Sequence, residues 1–358
     1  MRCFSIVTSA TLLLATLLPP VALAQEATTT AKPDASVTVV TQASIPYSAF
    51  ASPEARAFFP KMLASGSKAP PITGPIEQNR AFYDKINSDR AERMRKIYPV
   101  RIHAERIAGV GTDVVEPEQG IAANNRTRVL INLHGGGFLW GAHSGGLVEA
   151  IPVASLGRIK VISVDYRQGP EHVFPAASED VEAVYRELLK QYKPADIGIY
   201  GCSAGGVLTG EVVARLISRK LPVPGAIGMF CGAVVNMDGD SAYVGPLLNG
   251  GPVPTAPLKL ESLPYFKGAS ADDPLVMPGV SPALLTKFPP TLLISGTRDF
   301  AMSSVIRSQT LLNQAGVETE LRLWDGMWHS FFSDPELPES KDAYAVMVKF
   351  FDRHLGRH

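Results

Sequence analysis

Short, β-branched apolar runs recur at 129–133, 160–164, 197–200, 226–230, 291–295 and 318–323, separated by stretches whose apolar positions repeat every three or four residues. The runs predict strands buried on both faces, and the intervening periodicity predicts amphipathic helices packed over them. The clearest helices are 176–191, 206–220 stopped by Pro222, 302–315 closed by Gly316, and 341–355 closed by Gly356. Such alternation predicts an α/β fold, a mostly parallel central sheet with helices on both faces. Two regions interrupt it. Residues 45–110 read as helical pieces broken by Pro60, Pro70, Pro71, Pro75 and Pro99, with Phe50, Phe58, Phe59, Phe82 and Tyr83 spread among them. Residues 236–290 hold ten prolines and only weak periodicity, too long a stretch for an ordinary connection. Folded over the same edge of the sheet, the two would form a cap above the strand ends. The expected core is then 111–235 and 291–358, with 45–110 and 236–290 as cap.

Composition narrows the class. The chain has 358 residues, 46% apolar and 19% charged, with 34 basic against 34 acidic side chains. Balanced charge gives no footprint for nucleic acid or an anionic membrane surface, both of which need clustered Lys and Arg. Residues 1–24 read as an export signal: Arg2, an apolar stretch from Ile6 to Leu18, and the small-x-small site Ala22-Leu23-Ala24. That stretch is too short to span about 30 Å of hydrocarbon, so the expected product is exported, to the periplasm or outside the cell, without stable membrane insertion. Residues 25–44, rich in Thr, Ala and Ser, are expected to be a flexible mature terminus. Past the signal only Cys202 and Cys231 remain, which rules out a disulfide framework, although export would permit one bridge between them. No cofactor or metal is called for, and a homodimer is left open.

Candidate chemistry begins at Gly201-Cys202-Ser203-Ala204-Gly205-Gly206, which joins the run at 197–200 to a helix. In G-x-S-x-G the serine sits on a strained strand-to-helix turn, where side chains two residues to either side would collide. The helix start also brings its positive dipole end to Ser203. Two look-alikes fall short: Ser241 has Tyr243 in place of the second glycine, and Ser144 lacks the first. Upstream, the strand at 129–133 ends in His134-Gly135-Gly136-Gly137-Phe138, where glycines let backbone N–H groups approach a reacting carbonyl. Gly135, Gly136 and Ala204 are the candidate donors to a tetrahedral oxyanion, and His134 is expected to hold the loop by hydrogen bonding.

In this arrangement the catalytic groups follow the order serine, acid, histidine. Of seven histidines only His329, His354 and His358 follow Ser203, and the last two end the terminal helix, where a cation suits the dipole. His329 is therefore the candidate base. Asp299 leaves the run at 291–295 and is the candidate acid, against a plainer role as cap of the next helix. Asp325, only four residues from His329, is poorly placed to reach its ring from behind. The set predicts attack of Ser203 on an acyl carbonyl, an acyl-enzyme, and its release by water as an acid plus an alcohol. Phe138, Trp140 and Trp328 are candidate substrate contacts.

With these residues in place, the chain resembles the bacterial hormone-sensitive-lipase family of α/β-hydrolases, the family IV esterases. The matching blocks are His134 to Gly137, Gly201 to Gly206, Asp165-Tyr166-Arg167 with Pro170-Glu171-His172 and Phe174-Pro175-Ala176-Ala177, and Gly296 to Asp299 with His329. The resemblance implies an esterase with a cap over a pocket for short acyl esters. A lipase, an amidase, a lactonase or a catalytically silent ligand-binding relative are the alternatives. Three departures from the family pattern stand out: Cys202 replaces an aspartate, which would remove a polar contact beside the turn, Gln168-Gly169 replaces Leu-Ala, and Phe300 replaces a proline.

Overall fold

The structure is a computed structural model that describes residues 28–31, 37–40 and 44–356. The export signal expected over 1–24 lies outside the described residues. Within the first 46 residues, a unit to itself, β1 (Thr28–Ala31) pairs antiparallel with β2 (Val37–Val40), where the sequence suggested no regular element.

The second unit, from Tyr47 onward, opens with α1 (Pro53–Gly66), α2 (Ile76–Ile97) and the strands β3 (Val100–Ile107) and β4 (Val110–Pro117). Thereafter strand and helix alternate: β5 (Val129–Leu133), α3 (Ser144–Gly157), β6 (Lys160–Val164), α4 (Ala176–Leu188), β7 (Ile197–Cys202), α5 (Ala204–Ser218) and β8 (Ala226–Phe230). Next come α6 (Asp240–Leu248) and the short α7 (Pro282–Leu285), then β9 (Thr291–Gly296), α8 (Met302–Gln314), β10 (Thr319–Trp324) and α9 (Pro338–His354). Eight strands form one sheet in the order β10-β9-β8-β7-β5-β6-β4-β3, parallel from β10 to β6 and antiparallel across β4 and β3.

The helical reading of 45–110 thus ends too late, since Val100–Ile107 is an edge strand of the main sheet. Its side chains are largely exposed, so no continuous apolar run announces it. β4 carries Gly111, Asp113, Glu116 and Pro117, residue types poor in strands.

Alternation along the central strands builds two cores. Val129, Ile131 and Leu133 of β5 and Ile197 and Ile199 of β7 join α4, α5 and α8 on one face. Leu130, Tyr200, Cys202 and Phe230 face α3 and α9 on the other, together with Ala91 and Met94 of α2. Because β6 lies on one side of β5 and β7 on the other, the crevice between the ends of β5 and β7 is a topological switch point, where ligands bind in open α/β sheets. α2 is tied to that edge by Arg80. Its guanidinium donates to Glu171 at 2.7 Å and to the carbonyls of Leu139 (2.9 Å) and Gly169 (3.0 Å). The bidentate pair holds the Glu171 carboxyl down at about 2.

Candidate active site

Ser203 stands between β7 and α5 with φ 57° and ψ −120°, a region costly for any residue with a side chain. Its N–H donates to the Phe230 carbonyl at 2.7 Å and its carbonyl accepts from Val207, so the strained turn is held from both sides. A Cβ on Gly201 or Gly205 would run into the carbonyl oxygen of Leu133, which explains glycine at both positions of the motif.

The Ser203 hydroxyl donates to His329 Nε2 at 2.9 Å, and His329 Nδ1 meets Asp299 Oδ1 at 2.7 Å. Asp299 is fully buried. Burial alone would raise its carboxyl, but the facing His329, the Ala301 N–H (2.9 Å to Oδ1) and the Ser295 hydroxyl (2.7 Å to Oδ2) outweigh that and hold it below the ordinary aspartate value. Asp299 is not the cap of α8, whose N-cap is Ala301 without a side-chain cap bond; it instead holds the turn before that helix, its carboxyl accepting the Ala301 N–H and its carbonyl the Met302 N–H. Asp325 bonds Thr297 (3.1 Å) and Ser48 instead. Phe300, at the departure after the acid, stacks on the His329 ring at 4.4 Å between centroids.

Comparison with known proteins bears on the fold and the family. Residues 130–333 match a family model described as alpha/beta hydrolase fold. An esterase of Acinetobacter venetianus is 30% identical over 259 residues, covering 70% of this chain and 82% of that protein. An acetyl-hydrolase of Streptomyces hygroscopicus is 28% identical over 238 residues, covering 64% and 77%. The crystal structure of an esterase from the bacterial hormone-sensitive lipase family is similar with a TM-score of 0.73 and 25% identity, covering 85% of this chain and 99% of that one. The chain belongs to the bacterial hormone-sensitive-lipase family of α/β-hydrolase esterases.

The esterase differs from its sequence reading in the glycine loop. Gly135 N–H donates to Glu149 Oε1 at 3.0 Å and so points into the protein. No hydrogen bond among the described residues engages the N–H of Gly136, Gly137 or Ala204, and all three residues line one cavity with Ser203 and His329. His134 is buried beneath them. Its Nδ1 meets the Gly135 carbonyl at 2.7 Å, its ring stacks on Tyr166 at 4.2 Å, and Gln168 approaches Nε2 at 3.4 Å. Burial pushes its pKa down to about 4, so at neutral pH it is an uncharged support for the loop.

The cavity measures about 450 Å³. Both segments that interrupt the alternation contribute to it: Ile72, Tyr83, Asn87 and Arg90 from the first, Met237, Leu258, Leu260 and Leu263 from the second. Phe138 and Trp140 line it as expected from the sequence, Trp140 stacked flat on Tyr83 at 4.4 Å. Trp328 does not. With His329 turned to Ser203, its neighbour points the other way and packs against Phe58 and Phe59 of α1, at 5.8 and 5.9 Å.

Cys202 and Cys231 are buried free thiols. Cys202 Sγ lies 2.9 Å from the Ser330 hydroxyl, and Ser330 N–H donates to Cys231 Sγ at 3.4 Å, placing both thiols beside the residue that follows His329. A polar contact at position 202 is thus kept by the thiol itself, on the Ser330 hydroxyl, and the Cys202 N–H donates to Glu149 Oε2 at 3.1 Å. Sequence reasoning missed Glu149. Its signal was present, because Glu149 is the one ionisable side chain in the apolar helix α3.

Proposed function

We propose that this esterase hydrolyses small, uncharged acyl esters with Ser203 as nucleophile, His329 as general base and Asp299 as its orienting acid. The observation that carries this reading is the unbroken chain Ser203–His329–Asp299, at 2.9 and 2.7 Å, opening on a mostly apolar cavity. His329 takes the hydroxyl proton as Ser203 attacks the carbonyl carbon. Asp299 keeps the Nδ1–H tautomer and stabilises the imidazolium. The N–H groups of Gly136, Gly137 and Ala204 receive the oxyanion, aided by the positive end of α5. The imidazolium returns its proton to the leaving alcohol, water enters by the same route, and the acyl group departs as an acid.

Two features support a small acyl group. A cavity of about 450 Å³ falls toward the lower end of the range of roughly 300–1,000 Å³ for ligand sites. The similar Streptomyces hygroscopicus protein is named an acetyl-hydrolase. Ser203→Ala is expected to lower turnover of p-nitrophenyl butyrate by more than about 10³-fold while leaving the melting temperature near that of the parent. Parent-like turnover by that variant would refute the assignment. We also propose export, with cleavage after Ala24. The intact mass of protein recovered from the periplasm or medium tests it, and a chain that retains Met1 there would refute it.

A further inference from the structure

We propose that Glu149 is a positioning residue for the oxyanion hole, tying the glycine loop to the nucleophile turn across the crevice between β5 and β7. The inference rests on the esterase reading above. β5 and β7 are held in register up to the pair Leu133–Gly201, where their ladder ends. One and two residues further on, the chains separate into the two loops whose N–H groups must converge on a single oxygen atom. Glu149 spans that point from the third element, α3. Its Oε1 accepts from Gly135 N–H at 3.0 Å, and its Oε2 accepts from Cys202 N–H at 3.1 Å and from Asn132 Nδ2 at 3.1 Å. One carboxyl group thus holds the residue just before the Gly136 and Gly137 donors and the residue just before Ser203.

The strut is itself braced. Asn132 accepts from Ser163 at 3.1 Å, and the Tyr200 hydroxyl donates to the Glu149 carbonyl at 3.3 Å, so neighbouring strands fix the carboxyl and the helix that carries it. No Lys or Arg among the described residues pairs with Glu149, and burial pushes its carboxyl up to about 8 against the pull of its three donors. An acid in such surroundings costs stability, although an apolar residue in its place would leave the Gly135 and Cys202 N–H groups and the Asn132 amide without this acceptor. The geometry supplies the compensating benefit: oxyanion donors must hold their places within about 0.5 Å, and misplacing one costs about 10²- to 10³-fold in turnover.

The test compares the full-length enzyme with Glu149→Gln, which keeps the shape but places an amide donor against one N–H group, and with Glu149→Asp, which keeps the carboxyl group and loses about 1.5 Å of reach. Three quantities are measured: kcat and KM for p-nitrophenyl butyrate per site titrated with a fluorophosphonate, affinity for a trifluoromethyl ketone whose adduct needs the oxyanion hole, and melting temperature. Both variants are expected to lose about 10- to 100-fold in kcat per titrated site, with KM within about threefold and ketone affinity falling in step with kcat/KM. A kcat per titrated site within twofold of the parent in either folded variant would overturn the proposal. So would a fall in kcat/KM with ketone affinity unchanged. If the parent itself fails to label at Ser203, the esterase mechanism fails. If it labels and the variants match it, only the role of Glu149 fails.

Discussion

Replacing Asp299 by Asn separates two duties of the acid, fixing the histidine tautomer and stabilising the imidazolium charge. The surroundings decide which one is lost. Oδ1 accepts from both His329 Nδ1 and the Ala301 N–H, while Oδ2 accepts from the Ser295 hydroxyl. A carboxamide nitrogen at the first position would oppose a backbone donor that cannot turn away. At the second it faces a hydroxyl, which can rotate to accept. The asparagine oxygen is therefore pinned toward His329, the Nδ1–H tautomer survives, and only the charge is removed. Two unit charges about 4 Å apart interact by about 4 kcal/mol at an effective dielectric constant near 20. With the amide oxygen retaining part of that attraction, the loss is about 3 kcal/mol, or roughly 10²-fold in kcat at 1.36 kcal/mol per decade. A protease whose histidine is left in the wrong tautomer by the same change loses about 10⁴-fold. Stopped-flow acylation with p-nitrophenyl butyrate at pH 8, normalised to titrated sites, separates the two outcomes. A loss near 10⁴-fold would show that Ala301 does not pin the amide. A loss under threefold would remove Asp299 from the mechanism, and Asp325→Asn, expected within twofold of the parent, would then be the variant to examine.

Gly205→Ala should yield no folded enzyme, because its Cβ would overlap the Leu133 carbonyl oxygen in a turn fixed on both sides; soluble protein with parent-like circular dichroism would contradict the packing argument. Trp140→Ala removes the ring stacked on Tyr83 in the cavity wall. At about 0.8 kcal/mol per buried methylene, room for two more should raise the hexanoyl-to-butyryl ratio of kcat/KM by about tenfold, and an unchanged ratio would place the acyl group elsewhere. Burial holds the Glu211 carboxyl well above its ordinary value, with neither oxygen hydrogen-bonded among the described residues. The folded state then keeps a proton that the unfolded chain releases above about pH 4.3, so stability falls as pH rises from there toward the folded pKa. Glu211→Gln should therefore gain a few degrees in melting temperature at pH 8 relative to pH 5 when compared with the parent, and parallel melting curves across that range would count against it.

The residues legible in the sequence are those whose role depends on local geometry. Ser203 carries its glycines with it, because the turn that exposes it leaves no room for side chains, and the order of chain elements then singles out His329 and Asp299. What escaped depends on pairings made only in the fold. Gly135 looks like its two neighbours in sequence, yet its N–H is taken by a carboxyl oxygen fourteen positions away. Trp328 adjoins the base, and for that reason faces the opposite side. Edge position obscured β3, whose exposed side chains give no apolar run to read.

One constraint explains how groups so distant in sequence meet. The ladders end with Leu133 beside Gly201, Cys202 beside Phe230, Phe230 beside Ile294 and Gly296 beside Trp324. Parallel strands held in that register release their loops from one edge, so the glycine loop, the nucleophile turn, the acid and the base leave the sheet side by side. Hydrogen bonding in the sheet sets strand ends to within a residue, but it stops before the reacting atoms. The remaining alignment falls to side chains that bridge adjacent exits: Asp299 with His329 between β9 and β10, and Glu149 with Gly135 and Cys202 between β5 and β7. Both bridges are buried carboxyl groups accepting backbone N–H donors. Such contacts combine short range with fixed direction, whereas an apolar contact would tolerate sliding. Asp299 and Glu149 therefore stand where the sheet ceases to determine position and the chemistry still requires it.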